Sequence, residues 1–137
     1  SYILLYSLSN DKELFDVAKE YSNKMDLPIV FIHPMANSFN SSIKVEHDVG
    51  PIEFVYLLKN ASFVISNSFH ATAFSIIFEK KMFYKNISLN KKTRVESLFN
   101  ILHIEKKDEY YDFSSFNHQL LDNYVKSSMI FLGYLND

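Results

Sequence analysis

In the stretch FVISNSFHATAFSIIF, residues 63–78, an apolar run breaks off at Ser66-Asn67-Ser68-Phe69-His70 and then resumes. Small hydroxyl and amide side chains beside a histidine are suited to receiving an anion. If the first run is a strand and the second a helix, the polar residues stand at a helix N-terminus. Such an end carries about half a positive charge and several unpaired N–H groups, so it binds phosphate or carboxylate without a glycine loop. Ser66, Asn67 and Ser68 would let the anion approach, and His70 in the first turn adds positive charge or donates a proton. The plainer reading is that Asn67 or Ser68 caps the helix and His70 is a surface residue.

Arg94 is the second candidate. A cation in the first turn of a helix opposes the macrodipole at a cost of about 0.3–1 kcal/mol. An anion held between Arg94 and another helix start reverses that sign; the alternative is a solvated arginine paired with Glu96 or Asp108. The five histidines, His33, His47, His70, His103 and His118, show neither H-x-H nor H-x-x-x-H spacing. A metal site from His33, His47 and His70 would need three loops to converge, so neither metal nor cofactor is expected. Ser66 and Ser68 lack the glycines of a G-x-S-x-G turn, which argues against acyl-enzyme chemistry. The two glycines, Gly50 and Gly133, cannot write G-x-G-x-x-G or a P-loop anywhere in the chain.

The elements that must position these residues alternate. Tyr2–Tyr6 reads as a buried strand, and Ser7 to Asp11 supplies N-cap chemistry for a helix over Asp11–Met25 whose apolar positions fall at helical spacing. Asp26-Leu27-Pro28 stops it, and Ile29–Ile32 is an apolar run of the kind buried on both faces of a sheet. Residues 35–48 are the least regular, with Asn37–Ser42 a polar loop and Ile43–Val45 a short strand. Gly50-Pro51-Ile52-Glu53 starts a helix running to Asn60, because proline loses nothing at the first helical position and an early glutamate complements the dipole. Ser62–Ser66 is a strand, Ser68–Glu79 a helix and Met82–Tyr84 a short strand. Thr93 to Glu96 fits a capping box ahead of Val95, Leu98, Phe99 and Leu102. Past a charged connection, Phe113, Phe116, Leu120, Tyr124, Phe131 and Leu135 predict one long C-terminal helix. This alternation predicts an α/β domain, a Rossmann-like open parallel sheet with helices on both faces, and ligands in such sheets bind beyond the carboxyl ends of the strands.

Composition narrows the function class. The 137 residues are 47% hydrophobic and 16% aromatic, enough for a single domain with a real core. A net charge of −2 gives no basic footprint for nucleic acid. No segment reaches the roughly 18 apolar residues of a bilayer span. Cysteine is absent, so disulfides and thiolate sites are excluded, and a reducing cytoplasm is the simplest compartment, with peripheral contact at the inner membrane face as a variant. The chain starts at Ser1 and enters a core strand almost at once, which suggests a piece of a longer protein.

GPIEFVYLLKNASFVISNSFHATAFSIIFEKKMFY, Gly50 to Tyr84, resembles the signature region of the polysaccharide pyruvyl transferase family. That pattern is roughly an acidic-and-proline lead, a helix with E-F-L-x-L-I-K-N-A, a strand, then [TS]-[DN]-S-F-H-G-T-A-F-S-I-I-F-x-K-P-F. The match covers about a quarter of the chain. Arg94 with the Ser-Leu that follows is similar, more loosely, to the family's S-R-I-x-S-L-L element, and the opening YILLYSL to the start of its C-terminal half. The resemblance implies the donor-binding, C-terminal half of a GT-B-type two-domain enzyme that transfers pyruvate from phosphoenolpyruvate to two sugar hydroxyls as a ketal, in capsular or cell-surface polysaccharide biosynthesis. It places the motif histidine on His70 and the motif arginine on Arg94, and it implies a glycan acceptor bound through the other half and no activity of this piece alone. Ala71 stands where the pattern has glycine, which would narrow the backbone's approach to a ligand, and Lys81 where it has proline. The competing expectations are a nucleotide-sugar glycosyltransferase-like domain and a non-catalytic doubly wound binding module. A receiver domain is disfavoured because the first strand ends in Tyr6-Ser7-Leu8-Ser9, without an acidic pair.

Overall fold

The computed structural model describes residues 1–32, 44–46, 49–86 and 94–131. The apolar run at the start forms β1 (Ile3–Tyr6), followed by α1 (Lys12–Met25) and β2 (Ile29–Ile32). Next come β3 (Lys44–Glu46), α2 (Pro51–Asn60), β4 (Phe63–Ser66), α3 (Phe69–Ile77) and β5 (Lys81–Tyr84). The chain continues through α4 (Arg94–Leu102), β6 (Tyr111–Asp112), a 3-10 turn (Phe113–Ser115) and α5 (His118–Phe131). The strands lie in the order β3-β2-β1-β4-β5-β6. All pairs are parallel except β5 with β6.

Strand alternation divides the core in two. Ile3, Leu5, Phe31, Phe63 and Ile65 point to the face covered by α1, where they pack on Leu14, Ala18 and Tyr21. Leu4, Ile32, Val64 and Met82 point to the opposite face, against Leu58, Ala71, Ile76 and the apolar side of α4. With both faces covered, the central strands read as unbroken apolar runs. Full burial of one side chain such as Leu14 stabilises by about 1.5–3 kcal/mol, so these two clusters hold the strand ends in fixed register.

The chain builds β1, β2 and β3 outward in one direction, then returns to place β4 on the other flank of β1. Neighbouring loops therefore diverge at the carboxyl ends of β1 and β4, the position where open α/β sheets form their ligand crevice. Ser7 to Asp11 leaves β1 toward one face, and Asn67 and Ser68 leave β4 toward the other.

The α/β architecture read from sequence is the one observed, with element ends moved by one or two residues and two larger differences. The second strand pairing with the sheet's far edge, β6, was not expected: it is short, antiparallel, and follows a reverse turn in which Lys107 and Tyr110 exchange backbone hydrogen bonds of 2.9 and 3.0 Å. The C-terminal helix does not begin at Phe113. That side chain is fully buried in the 3-10 turn, its N–H donating to the Lys80 carbonyl at 3.0 Å, and the Asn117 amide oxygen starts α5 by accepting from the Gln119 N–H. Thus Phe113 belongs to the sheet's core rather than to the stripe of α5. The short strand β3 spans Lys44–Glu46, and Ile43 of the expected strand lies outside the described residues. His33, Asn37–Ser42, His47, Thr93 and Leu135 lie outside the described residues.

Candidate functional site

Two helix starts flank the divergence between β1 and β4. At α1, Asp11 is the N-cap, its carboxylate accepting the Glu13 N–H at 3.0 Å and the Leu14 N–H at 3.3 Å. Lys85, at the end of β5, reaches across with Nζ 2.9 Å from Asp11 and 2.8 Å from Glu13. Burial works to raise the Asp11 carboxyl's pKa, but the Lys85 hydrogen bond and charge, with the two capping N–H groups, hold it below its ordinary value. The hydrogen bonds to Glu13 and Asp11 push the Lys85 ammonium above its own. Both carboxylates of this helix start are thus answered by Lys85.

At α3 the sequence chose a neutral cap. Ser68 takes the extended conformation of an N-cap, its Oγ accepting the Ala71 N–H at 3.4 Å, and no acidic residue stands in the first turn. The Ser66 hydroxyl, wholly buried, accepts the Ser68 N–H at 3.0 Å and so fixes the turn out of β4. Asn67 fills the divergence between the strands: its amide nitrogen donates to Ser7 Oγ at 3.2 Å and Ser9 Oγ at 3.4 Å, and its oxygen accepts the Leu8 N–H at 2.9 Å. Among the described residues no buried side-chain nitrogen or oxygen lacks a partner. Ser66, Asn67 and Ser68 therefore build and brace the helix start, and all three are buried with 4% exposure or less. They shape the site; the groups that face outward are others.

Those groups are His70 and Arg94. His70 is exposed in the first turn of α3, and Arg94, exposed as the first residue of α4, lays its guanidinium 4.5 Å from the ring centre of Phe69. The Phe69 ring meets the His70 imidazole edge to face, with centroids 6.0 Å apart. Two cationic or proton-donating groups from separate helices thus share one aromatic neighbour. The pairing of Arg94 with Glu96 or Asp108 does not form; Glu96 accepts instead from the Asn86 amide. The structure sets His70 and Arg94 each against Phe69 and shows Ser68 as the cap of α3.

His70 also lines a cleft of about 370 Å³ between the starts of α2 and α3, walled by Tyr6, Phe54, Pro51 and Phe74. Tyr6 and Phe54 meet there with ring centroids 4.9 Å apart. At the rim the Glu53 carboxylate folds back over Gly50, the cap of α2. A second cavity of about 390 Å³ lies on the α1 face. Its wall mixes Lys12, Asp11, Asp16 and Lys19, so it has no net cationic character to draw an anion.

Ala71 is helical, lies outside the described positive-φ residues and is fully buried within the core cluster under the sheet. Its methyl is core packing, so it does not narrow the cleft beside His70. Lys81 opens β5 and stands opposite Asp112 of β6; proline is tolerated at the first residue of a strand, and the exchange leaves the sheet intact. Sequence reasoning passed over Phe69 and Lys85. Phe69 has a signal of a kind, a half-exposed aromatic between a cap and a histidine, whereas Lys85 finds its partners far back in the chain.

The family model for polysaccharide pyruvyl transferase matches residues 1–88, which contain β1 through β5 and both helix starts. The chain belongs to the polysaccharide pyruvyl transferase family. No curated protein matches it. Among solved structures, the UDP-GlcNAc 2-epimerase from Methanocaldococcus jannaschii is similar over 73% of this chain and 33% of its own, at 20% identity and a TM-score of 0.54. The crystal structure of Methanocaldococcus jannaschii UDP-GlcNAc 2-epimerase in complex with UDP-GlcNAc and UDP is similar over 94% of this chain and 45% of its own, at 19% identity and a TM-score of 0.51. The pyruvyl transferase family member described here thus spans a third to less than half the length of those epimerase chains. At such identities the likeness is one of fold: the Rossmann-like α/β domain of a GT-B-type architecture expected from sequence.

Proposed function

We propose that this chain is the donor-binding domain of a longer, two-domain transferase, which moves pyruvate from phosphoenolpyruvate onto two hydroxyls of a sugar in capsular or cell-surface polysaccharide biosynthesis. The observation that carries the reading is the α3 start within the family-matched segment, with a neutral cap and no acid in the first turn, where Phe69 contacts both His70 and, from beyond that segment, Arg94. Phosphoenolpyruvate presents a phosphate and a carboxylate, and this end of the sheet gathers the charge to meet them.

In the reaction two sugar oxygens bond to the enol carbon, its bond to the phosphate oxygen breaks, and inorganic phosphate leaves. One hydroxyl proton ends on the methylene carbon, which becomes the ketal methyl, and the other on phosphate. His70 stabilises or protonates the departing phosphate, while Arg94 holds phosphate or carboxylate where negative charge develops. Ser66, Asn67 and Ser68 contribute by fixing the turn from which the α3 N–H groups point. The glycan acceptor enters from the other half, so the chain alone forms no product. The setting is the cytoplasm, at or beside the inner membrane face. No helix among the described residues is long and apolar enough to cross a membrane.

A second reading draws on the likeness to the epimerase solved with UDP-GlcNAc and UDP: a nucleotide sugar whose diphosphate takes the same helix start. The test is turnover by the full-length protein, followed as phosphate release from phosphoenolpyruvate in the presence of glycan acceptor. His70→Ala is expected to lower it by about 10²–10⁴-fold, the usual contribution of a positioned proton donor. Unchanged turnover would remove His70 from the chemistry.

A further inference from the structure

We propose that Phe69 is a positioning residue for the donor anion, an aromatic platform that holds the Arg94 guanidinium beside His70. The inference rests on the donor reading above and adds to it the device that joins its two charged groups. Arg94 and His70 stand on different helices, and α4 meets the sheet through a segment well removed in sequence from α3. Something must fix their separation if one anion is to touch both.

The geometry points to the ring between them. The Arg94 guanidinium carbon lies 4.5 Å from the Phe69 centroid, inside the range in which a cation is attracted by the ring's negative face. The His70 imidazole is 6.0 Å from the same ring and nearly perpendicular to it, at 83°. Phe69 is half-buried, anchored against the core cluster that contains Val95 and Phe99 of α4, so the platform is attached to the body of the domain. Among the described residues Arg94 forms no ion pair that would hold it elsewhere.

A stacked guanidinium keeps its N–H edge free. Arginine's donors radiate in the plane of the group, so stacking one face on an aromatic ring leaves them available to a phosphate or carboxylate. A carboxylate partner would have done the opposite, consuming the donors and cancelling the charge. The platform thus orders a long side chain in advance, reducing the entropy lost when the anion binds, without competing for it. Phenylalanine suits this work because it offers a face and no charge. Leucine would fill similar volume and offer no such face.

The test compares Phe69→Leu with Phe69→Tyr and Arg94→Lys in the protein, with two readouts. The first is the NMR signal of the Arg94 side chain, assigned by its disappearance in Arg94→Lys. In the wild-type protein it should be displaced upfield by the ring current, keep that displacement in Phe69→Tyr and lose it in Phe69→Leu. The second is binding of phosphoenolpyruvate and of inorganic phosphate. Phe69→Leu is expected to weaken phosphoenolpyruvate about two- to fivefold and Phe69→Tyr to leave it as in the wild type, with the signal dispersion of a folded protein kept in both. An undisplaced Arg94 signal in the wild-type protein, or equal affinity in Phe69→Leu, overturns the proposal. A displaced signal in a protein that binds neither anion overturns the donor reading and the purpose given to the platform, so the two failures are told apart by which readout is lost.

Discussion

The helix starts of α1 and α3 lie on opposite sides of the same strand divergence, with the same dipole and the same kind of capped turn, and they are finished in opposite ways. α1 caps with a carboxylate, adds Glu13 in its first turn and receives Lys85 from just past β5, so both carboxylates there have a cationic partner. α3 caps with a hydroxyl, has no acid in its first turn, and stands beside an arginine stacked on carbon. A helix start whose charge is answered internally stabilises the fold, and one left unanswered is available to a ligand. The difference teaches that the presence of a helix N-terminus does not identify a site; the identity of its cap and of the cations around it does.

The comparison breaks most visibly if α3 is finished like α1. His70→Glu puts an acid in the first turn at an exposed position, where it should leave stability unchanged or raise it by about 0.3–1 kcal/mol through the dipole. The same change should weaken phosphoenolpyruvate binding at least about tenfold, since a negative charge then faces the anion at close range. Denaturant titration and calorimetry together check the opposed signs. Parallel losses of stability and affinity would mean that the α3 start is a structural cap like its neighbour.

A smaller effect sharpens the other side. The lowered pKa of Asp11 means that its stabilising contribution is complete above the unfolded carboxyl value and fades as pH falls through the lower, folded value. The raised pKa of Lys85 works at the other limit: its contribution is complete below the unfolded lysine value and fades as pH rises through the higher, folded one. Asp11→Asn should therefore flatten the loss of stability below about pH 4 and lower stability at neutral pH by about 1 kcal/mol or less, with phosphoenolpyruvate affinity unchanged. Denaturant midpoints across pH measure the first effect, and a weakened donor affinity in this variant would show that the α1 start takes part in binding.

Much of this was legible in the sequence because it is local. The βαβ opening, the Gly50-Pro51 start of α2 and the seam at Ser66 to His70 each follow from the spacing of apolar residues and from cap chemistry within one turn. What escaped depends on residues meeting across the fold. Asn67 is bonded to Ser7, Leu8 and Ser9, Lys85 to Asp11, and Arg94 to Phe69, and no window of sequence holds both partners. Phe113 misled for a related reason: its apolar spacing continues the pattern of α5, but its burial against β5 is decided by the antiparallel β6, whose two residues carry almost no signal. At the seam, the burial of Ser66, Asn67 and Ser68 and their bonds within the turn were not legible either, because they depend on where β1 and β4 meet.

The most direct test is a titration of phosphoenolpyruvate into the isotope-labelled chain, following backbone amides at both helix starts. The account predicts saturable shifts centred on Phe69, His70 and Ala71 and on the Arg94 side chain, while Glu13 and Leu14 stay where they are. Shifts centred on Glu13 and Leu14, or a response to a UDP-sugar with none to phosphoenolpyruvate, would contradict it.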